Sequence, residues 1–308
     1  MKILFFTDMH LRSASDRPKW RIDDHYKQQF AELQEISSIA KDQKVDLMVS
    51  VGDFFDHTRV SHQLVTDTLN WCKTLPCSLY SVVGNHDVNA YVTSDRNNGL
   101  GVLFESGAVE RLDDLVLDDK KVVIRGVHVF IDPRQGNYMF DSQYKDYFKI
   151  VASHNFIIPR EVPFDHVLPQ DVKTNANVIV LGHYHQCFHM FHNNTAFVNP
   201  GSISRWAVNE QHQPQVFIVD TEKNAGMITS FPLKCALPAA EIFDLAAAAE
   251  IKSTEMNLQA FVDSLENTSF DNVDVENVVL TEGNKQGLVK GVVDLALTKI
   301  QQAKVELK

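Results

Sequence analysis

The sequence predicts an α/β fold: a two-sheet mixed β-sandwich flanked by helices, with a small α-rich module at its C-terminal end. Three observations carry this. Over the first hundred residues, short β-branched and aromatic runs alternate with helical patterns. After about residue 108 the chain changes to short strands separated by Asp-Asp, Asn-Asn and Lys-Asn turns. Acidity also concentrates at the far end: the 308 residues carry a formal net charge of −11, of which −6 falls within residues 241–308.

Residues 3–7, 47–51, 79–83, 150–152 and 178–181 read as buried strands, each ending in a polar cluster. Residues 24–43 place Tyr26, Phe30, Leu33, Ile36 and Ile39 at steps of three and four, which predicts an amphipathic helix. Residues 62–75 repeat the pattern with Leu64, Val65, Leu69 and Trp71. Strand, helix, strand, helix, strand implies right-handed crossovers and a parallel sheet. Strands are also expected over 122–125, 189–191, 196–198, 216–220 and 227–231. Leu237-Pro238-Ala239-Ala240 reads as a boundary between a catalytic domain, residues 1–236, and a module, residues 237–308. Within the module, 257–266 and 285–303 are expected to be helical, with a turn at Glu282-Gly283-Asn284.

Composition excludes several classes. With 44% hydrophobic and 22% charged residues the chain is an ordinary globular one. The acidic balance argues against coating nucleic acid by bulk electrostatics. The four cysteines form no C-x-x-C pair, which fits reduced thiols and a cytoplasmic location (a host cytoplasm, were the chain phage-encoded). No apolar run approaches the roughly 20 residues that span a bilayer.

The chemistry sits where the strands end. The first strand runs into Asp8-Met9-His10, the second into Gly52-Asp53-Phe54-Phe55-Asp56 and the third into Gly84-Asn85-His86-Asp87. The fourth ends in His154 and the fifth in Gly182-His183-Tyr184-His185. Carboxyl ends of strands are where α/β sheets build sites. In D-x-H and H-x-H, two side chains one residue apart point to the same side of an extended segment. Taken singly, each has a structural alternative: a surface pair, a turn with a helix cap, a buried histidine. Their recurrence in sequence order points instead to one oxygen- and imidazole-rich metal centre.

In this series the chain resembles the calcineurin-like metallophosphoesterase superfamily. Asp8-Met9-His10-Leu11, Gly52-Asp53-Phe54-Phe55-Asp56 and the segment Asn199-Pro200-Gly201-Ser202-Ile203-Ser204-Arg205 further resemble the SbcD-type DNA repair nucleases. The resemblance spans about residues 1–235. It implies two divalent ions, the first held by Asp8, His10 and His185, the second by Asn85, His154 and His183, with Asp53 bridging. Carboxylate, amide and imidazole donors without a cysteine suit manganese, with magnesium or iron as alternatives. Such a pair supplies a water nucleophile and neutralises phosphate oxygens. The resemblance makes His86 the general acid and Asp56 its orienting partner. The alternative for Asp56 is a helix cap near Ser61. Asp87 reads as a turn residue.

For substrate, Arg12, Arg17, Lys19 and Arg21 crowd the loop after the first strand with Trp20 and one acid, Asp16. Phosphate contacts and a solvated loop are equal readings there, and Arg205 is a further candidate. Superfamily phosphatases carry Arg-Gly after G-D-x-x-D, whereas this chain has His57-Thr58, which favours a diesterase. The resemblance thus implies a DNA exonuclease with accompanying endonuclease activity. It would be the nuclease subunit beside an SbcC-type coiled-coil ATPase, as a homodimer within a heterotetramer serving repair or recombination. A cyclic-nucleotide or other small-molecule diesterase is the alternative. Residues 285–303 offer a partner-binding face through Leu288, Val292, Leu295, Leu297 and Ile300, or else pack on the chain's own core. Segments 62–75 and 96–106 are the matching candidates for dimerisation.

Overall fold

The computed structural model describes residues 1–88, 98–222 and 227–250, with separate positions between 279 and 298. It divides into two compact units, Met1–Phe243 and Asp244–Lys308.

The first unit contains two mixed sheets of six strands each. In the first, β1 (Lys2–Phe6), β2 (Leu47–Ser50), β3 (Leu79–Ser81) and β4 (Glu110–Arg111) run parallel. The second holds β5 (Asp114–Leu117), β6 (Val122–Val127), β7 (Phe148–Ser153), β8 (Val178–Leu181), β9 (Phe188–His192) and β10 (Thr195–Asn199). Here β6, β7, β8 and β10 are parallel, and β5 and β9 close the edges antiparallel. The late strands β11 (Gln215–Asp220) and β12 (Met227–Pro232) return to the first sheet, giving the order β12-β11-β1-β2-β3-β4. Thus β1 lies between β2 and a strand drawn from two hundred residues later.

Alternation along the strands sorts the core into layers. Ile3, Phe5, Val49 and Val51 face Ile124, Ile150, Ala152, Val178 and Val198 between the sheets. Leu4, Phe6 and Met48 point the other way, onto helices α1 (His25–Asp42), α2 (His62–Cys72) and α3 (Gly99–Glu105). On the far face of the second sheet, Val123, Val151, Ile179 and Phe197 pack with Tyr138 and Phe140. Asp24 caps α1 by accepting from the Lys27 N–H, and Ser61 caps α2 by accepting from Leu64. Asp56 is therefore not a cap. Leu64 and Trp71 belong to the core, the indole N–H donating to the Leu33 carbonyl at 3.0 Å.

The first unit extends past residue 236. Ala239, Ile242 and Phe243 cluster with Trp20 and Val208 around α4 (Ala239–Ile242), and Phe243 bridges to Arg21. In the second unit, Asp244 caps a helical turn through the Ala247 N–H, and Val279 and Val293 pack with Ala296 and Leu297. Thr281, Gly283 and Lys285 are helical, where the sequence reads a turn. Segment 257–266 lies outside the described residues, as do Leu288, Val292, Leu295 and Ile300 of the second segment. Among the described residues no helix is long and apolar enough to cross a membrane.

Candidate active site

Five loops meet at the carboxyl ends of β1, β2, β3, β7 and β8. The loop after β1 is laced to the loop after β2: Asp8 N–H donates to Gly52 O at 3.1 Å and His10 N–H to Asp53 O at 3.0 Å. Such tight reversals force unusual backbone. Asp8, His10, Asp53 and His183 all have φ between 43° and 70°, a region that non-glycine residues seldom adopt. Strain of this kind persists where surrounding contacts over-determine it, and it gathers at functional sites. Glycine makes the close approach possible. A Cβ on Gly84 would lie 2.1 Å from the Asp53 carboxylate, and one on Gly52, itself at φ 93°, would lie 2.4 Å from His154 Nδ1.

The strand-end side chains form two adjoining groups, Asp8–His10–His185 and Asp53–His154–His183. In the first, His10 Nε2 and His185 Nε2 face each other at 3.0 Å, and Asp8 Oδ1 lies 3.6 Å from His185. In the second, Asp53 Oδ2 lies 3.2 Å from His154 Nε2, while Asn85 Oδ1 contacts His183 Nδ1 at 2.6 Å and His154 Nε2 at 3.2 Å. Asp53 Oδ2 also reaches His10 at 3.6 Å, so this one carboxylate touches both groups. All seven candidate metal-holding residues are thus brought together.

Partners behind the imidazoles decide which nitrogen faces inward. His154 Nδ1 donates to the Val51 carbonyl at 2.7 Å, His10 Nδ1 to the Asp56 carboxylate at 3.0 Å, and His185 Nδ1 to Glu210. In each case Nε2 is left for the centre. Asp56 meets His86 as expected, but chiefly through its main chain, and it has a second partner. Its carboxylate orients His10, and its backbone carbonyl accepts from His86 Nδ1 at 2.8 Å, the carboxylate being 3.6 Å away. Asp56 also holds Arg12 at 2.5 Å and His57 at 3.1 Å. Asp87, read as a turn residue, is buried and accepts from the Phe54, Phe55 and Gly84 N–H groups, tying two of the loops together.

Charge follows from this packing. Burial opposes ionisation of Asp53, yet His154, His10 and His86 hold its carboxyl well below the usual range. Burial likewise disfavours a charged His154, but Asp53 and Asp8 lift it to about 9. His185 reaches about 9 against its burial because Glu210 and Asp8 face it. His183, buried beside His154, falls to about 4. The cluster thus draws positive charge to its centre. Converging lone pairs, no thiolate and a central carboxylate, Asp53, held ionised fit a pair of divalent cations.

The proposed phosphate contacts divide. Arg17 and Lys19 are exposed, Lys19 resting over the Trp20 ring. Arg12 is half-committed, paired to Asp56 and Asp16. Arg21 and Arg205 correct the sequence reading, because both are buried. Arg21 pairs with Asp23 and donates to the Arg205 carbonyl, and Arg205 donates to the carbonyls of Leu237 and His212. They brace the chain and present no free face to a substrate. Sequence reasoning missed two residues at the site, Glu210 and Trp206. The Trp206 ring lies 5.8 Å from His10 and 6.1 Å from His86. Neither residue carries a motif, and no local spacing points to either.

Residues 1–187 match the family model described as calcineurin-like phosphoesterase. No curated protein matches the chain. Similar solved structures include an archaeal phosphodiesterase, 17% identical over 76% of this chain and 100% of that one, with a TM-score of 0.40. A dimetal phosphatase from Danio rerio is 10% identical over 75% and 98%, at 0.48. Yfce, a phosphoesterase from E. coli, is 13% identical over 76% and 100%, at 0.38.

Proposed function

The chain belongs to the calcineurin-like phosphoesterase family, and within it we propose a manganese-dependent DNA phosphodiesterase: an exonuclease, the nuclease subunit of a two-protein complex with an SbcC-type ATPase. The observation that carries the hydrolytic part is the convergence of seven donor side chains beside His86. Two divalent ions held there would supply the nucleophilic water and offset phosphate charge. Asp8, His10 and His185 form one set of ligands, Asn85, His154 and His183 the other, and Asp53 serves both.

His86 is the general acid. Its ring is partly exposed, and Nδ1–H is spent on the Asp56 carbonyl, so Nε2 is the nitrogen that delivers a proton to the leaving sugar oxygen. Asp56 acts on both sides of this arrangement, through its carboxylate on His10 and through its carbonyl on His86. The choice of DNA is supported by the Asp8-Met9-His10-Leu11 and Asn199–Arg205 segments, by His57-Thr58 where phosphatases carry Arg-Gly, and by exposed Arg17 and Lys19. The 241–308 tail, which holds more than half of the net negative charge, is assigned to the ATPase and not to DNA. DNA affinity is then weak without metal and steeply salt-dependent.

The decisive assay offers purified protein linear duplex DNA, closed circular DNA and cyclic nucleotides, in manganese and in magnesium. Degradation of linear DNA in manganese is expected. Efficient hydrolysis of cyclic nucleotides without cleavage of DNA sinks the nuclease reading in favour of a small-molecule diesterase.

A further inference from the structure

We infer that Trp206 is a stacking platform for the nucleobase beside the scissile phosphate, so that this enzyme recognises its substrate through a base that has left the duplex stack. The inference rests on the DNA-phosphodiesterase reading and deepens it.

Trp206 remains 37% exposed, unusual for an indole in contact with a buried centre. Its ring stacks on His10, 20° from parallel, and meets His86 and His185 edge-on at 6.1 and 6.2 Å. It therefore stands against two candidate ligands and the proposed acid together. Arg12 lies 5.7 Å from the ring centre. One carboxylate, that of Asp56, holds both Arg12 and His10, the two groups nearest the indole. The partly exposed indole thus stands beside the proton-donating histidine.

The platform is also rigid. The Trp206 backbone N–H donates to Glu210 Oε2 at 2.5 Å, and the same carboxylate fixes His185. On the preceding residues, Arg205 is anchored to two carbonyls and Ser204 donates to buried Glu32 at 2.8 Å. A preordered aromatic face loses little entropy on binding. Every base has a π-face, so such a surface accepts bases without regard to sequence. A nucleoside on the indole places its own phosphate at the adjoining His86 and ligand groups. Trp206 and Glu210 both lie beyond the residues that match the family model, so the platform is a feature of this chain's own later segment.

The test uses the full chain with manganese and oligonucleotides that differ only in the terminal nucleoside, thymidine or an abasic analogue. Wild-type protein is expected to cleave the base-bearing end with kcat/KM roughly ten-fold or more above the abasic end, mainly through KM. Trp206→Ala is expected to bring that ratio close to one, and Trp206→Phe to keep most of it. Phe191→Ala, removing an exposed aromatic on β9, serves as a handling control with an unchanged ratio. If Trp206→Ala slows both oligonucleotides equally, the side chain merely supports the ligands and the inference is overturned. If wild-type protein cleaves neither while hydrolysing a small diester, the DNA reading itself falls and the platform with it.

Discussion

The two halves of the metal centre are built from similar ligands but supported differently. Behind Asp8, His10 and His185 stand two carboxylates, Asp56 and Glu210, each bonded to an imidazole Nδ1. Behind Asp53, His154 and His183 the corresponding partner is neutral, the Val51 carbonyl that accepts from His154 Nδ1. Exposure does not separate them, since each half has one partly exposed histidine, His185 in the first and His183 in the second. An anionic partner raises the basicity of a ligating imidazole. The first half is therefore the electronically tuned one, next to His86 and the indole.

The largest effect is expected at the residue that belongs to neither half. His86→Ala should lower hydrolysis by roughly 10²–10⁴-fold while equilibrium dialysis still finds two ions per chain. Loss of an ion would mean that His86 is a ligand and that the division into halves is wrong. Next comes Glu210→Gln, which retains an acceptor for the Trp206 N–H but removes the charge behind His185. Affinity for one ion should fall by about 10–100-fold and the other should hold, as read by chelator competition. Equal weakening of both ions would erase the contrast between the halves. Asn85→Ala is the complementary change and should weaken the opposite ion.

The smallest effect on activity, and a pH-dependent one, is expected at Glu32. Burial raises this carboxyl from 4.5 to about 7, even though Ser204 and Gln28 donate to it. A folded-state value above the unfolded one means that its stabilisation is full below about pH 4.5 and is lost as pH rises through about 7. By linkage the window is worth up to about 3 kcal/mol. Glu32→Gln should therefore gain thermal stability relative to wild type at pH 8.5 but not at pH 5, with metal stoichiometry intact. A difference in Tm that does not vary with pH refutes this account of Glu32.

The catalytic cluster was legible because its chemistry restricts residue type. Asp, Asn and His at five strand ends have few other uses. The parallel strands were equally legible, since burial on both faces leaves continuous apolar runs such as Val178–Leu181. β4 was not, because its two residues, Glu110 and Arg111, are exposed and carry no apolar signal. Arg21 and Arg205 misled for a physical reason: sequence displays a charge but not its partner. Theirs are Asp23 and main-chain carbonyls, in part from residues 212 and 237. Glu210 escaped notice similarly, since its contact with His185 spans 25 positions and follows no periodicity.

The position of β1 between β2 and β11 bears on how the chain comes off the ribosome. Asp8, His10 and Asp53 emerge early, but one flank of β1 stays unpaired until residues 215–220 arrive. His183 and His185 come late, and Glu210 later still. Long-range pairing of this kind is slow, and an open strand edge invites association with other chains. The same order in time means that a nascent chain has no assembled hydrolytic centre. A phosphoesterase centre built from these residues can be complete only late in synthesis, once the strand that joins β1 to the first sheet's far edge has been made.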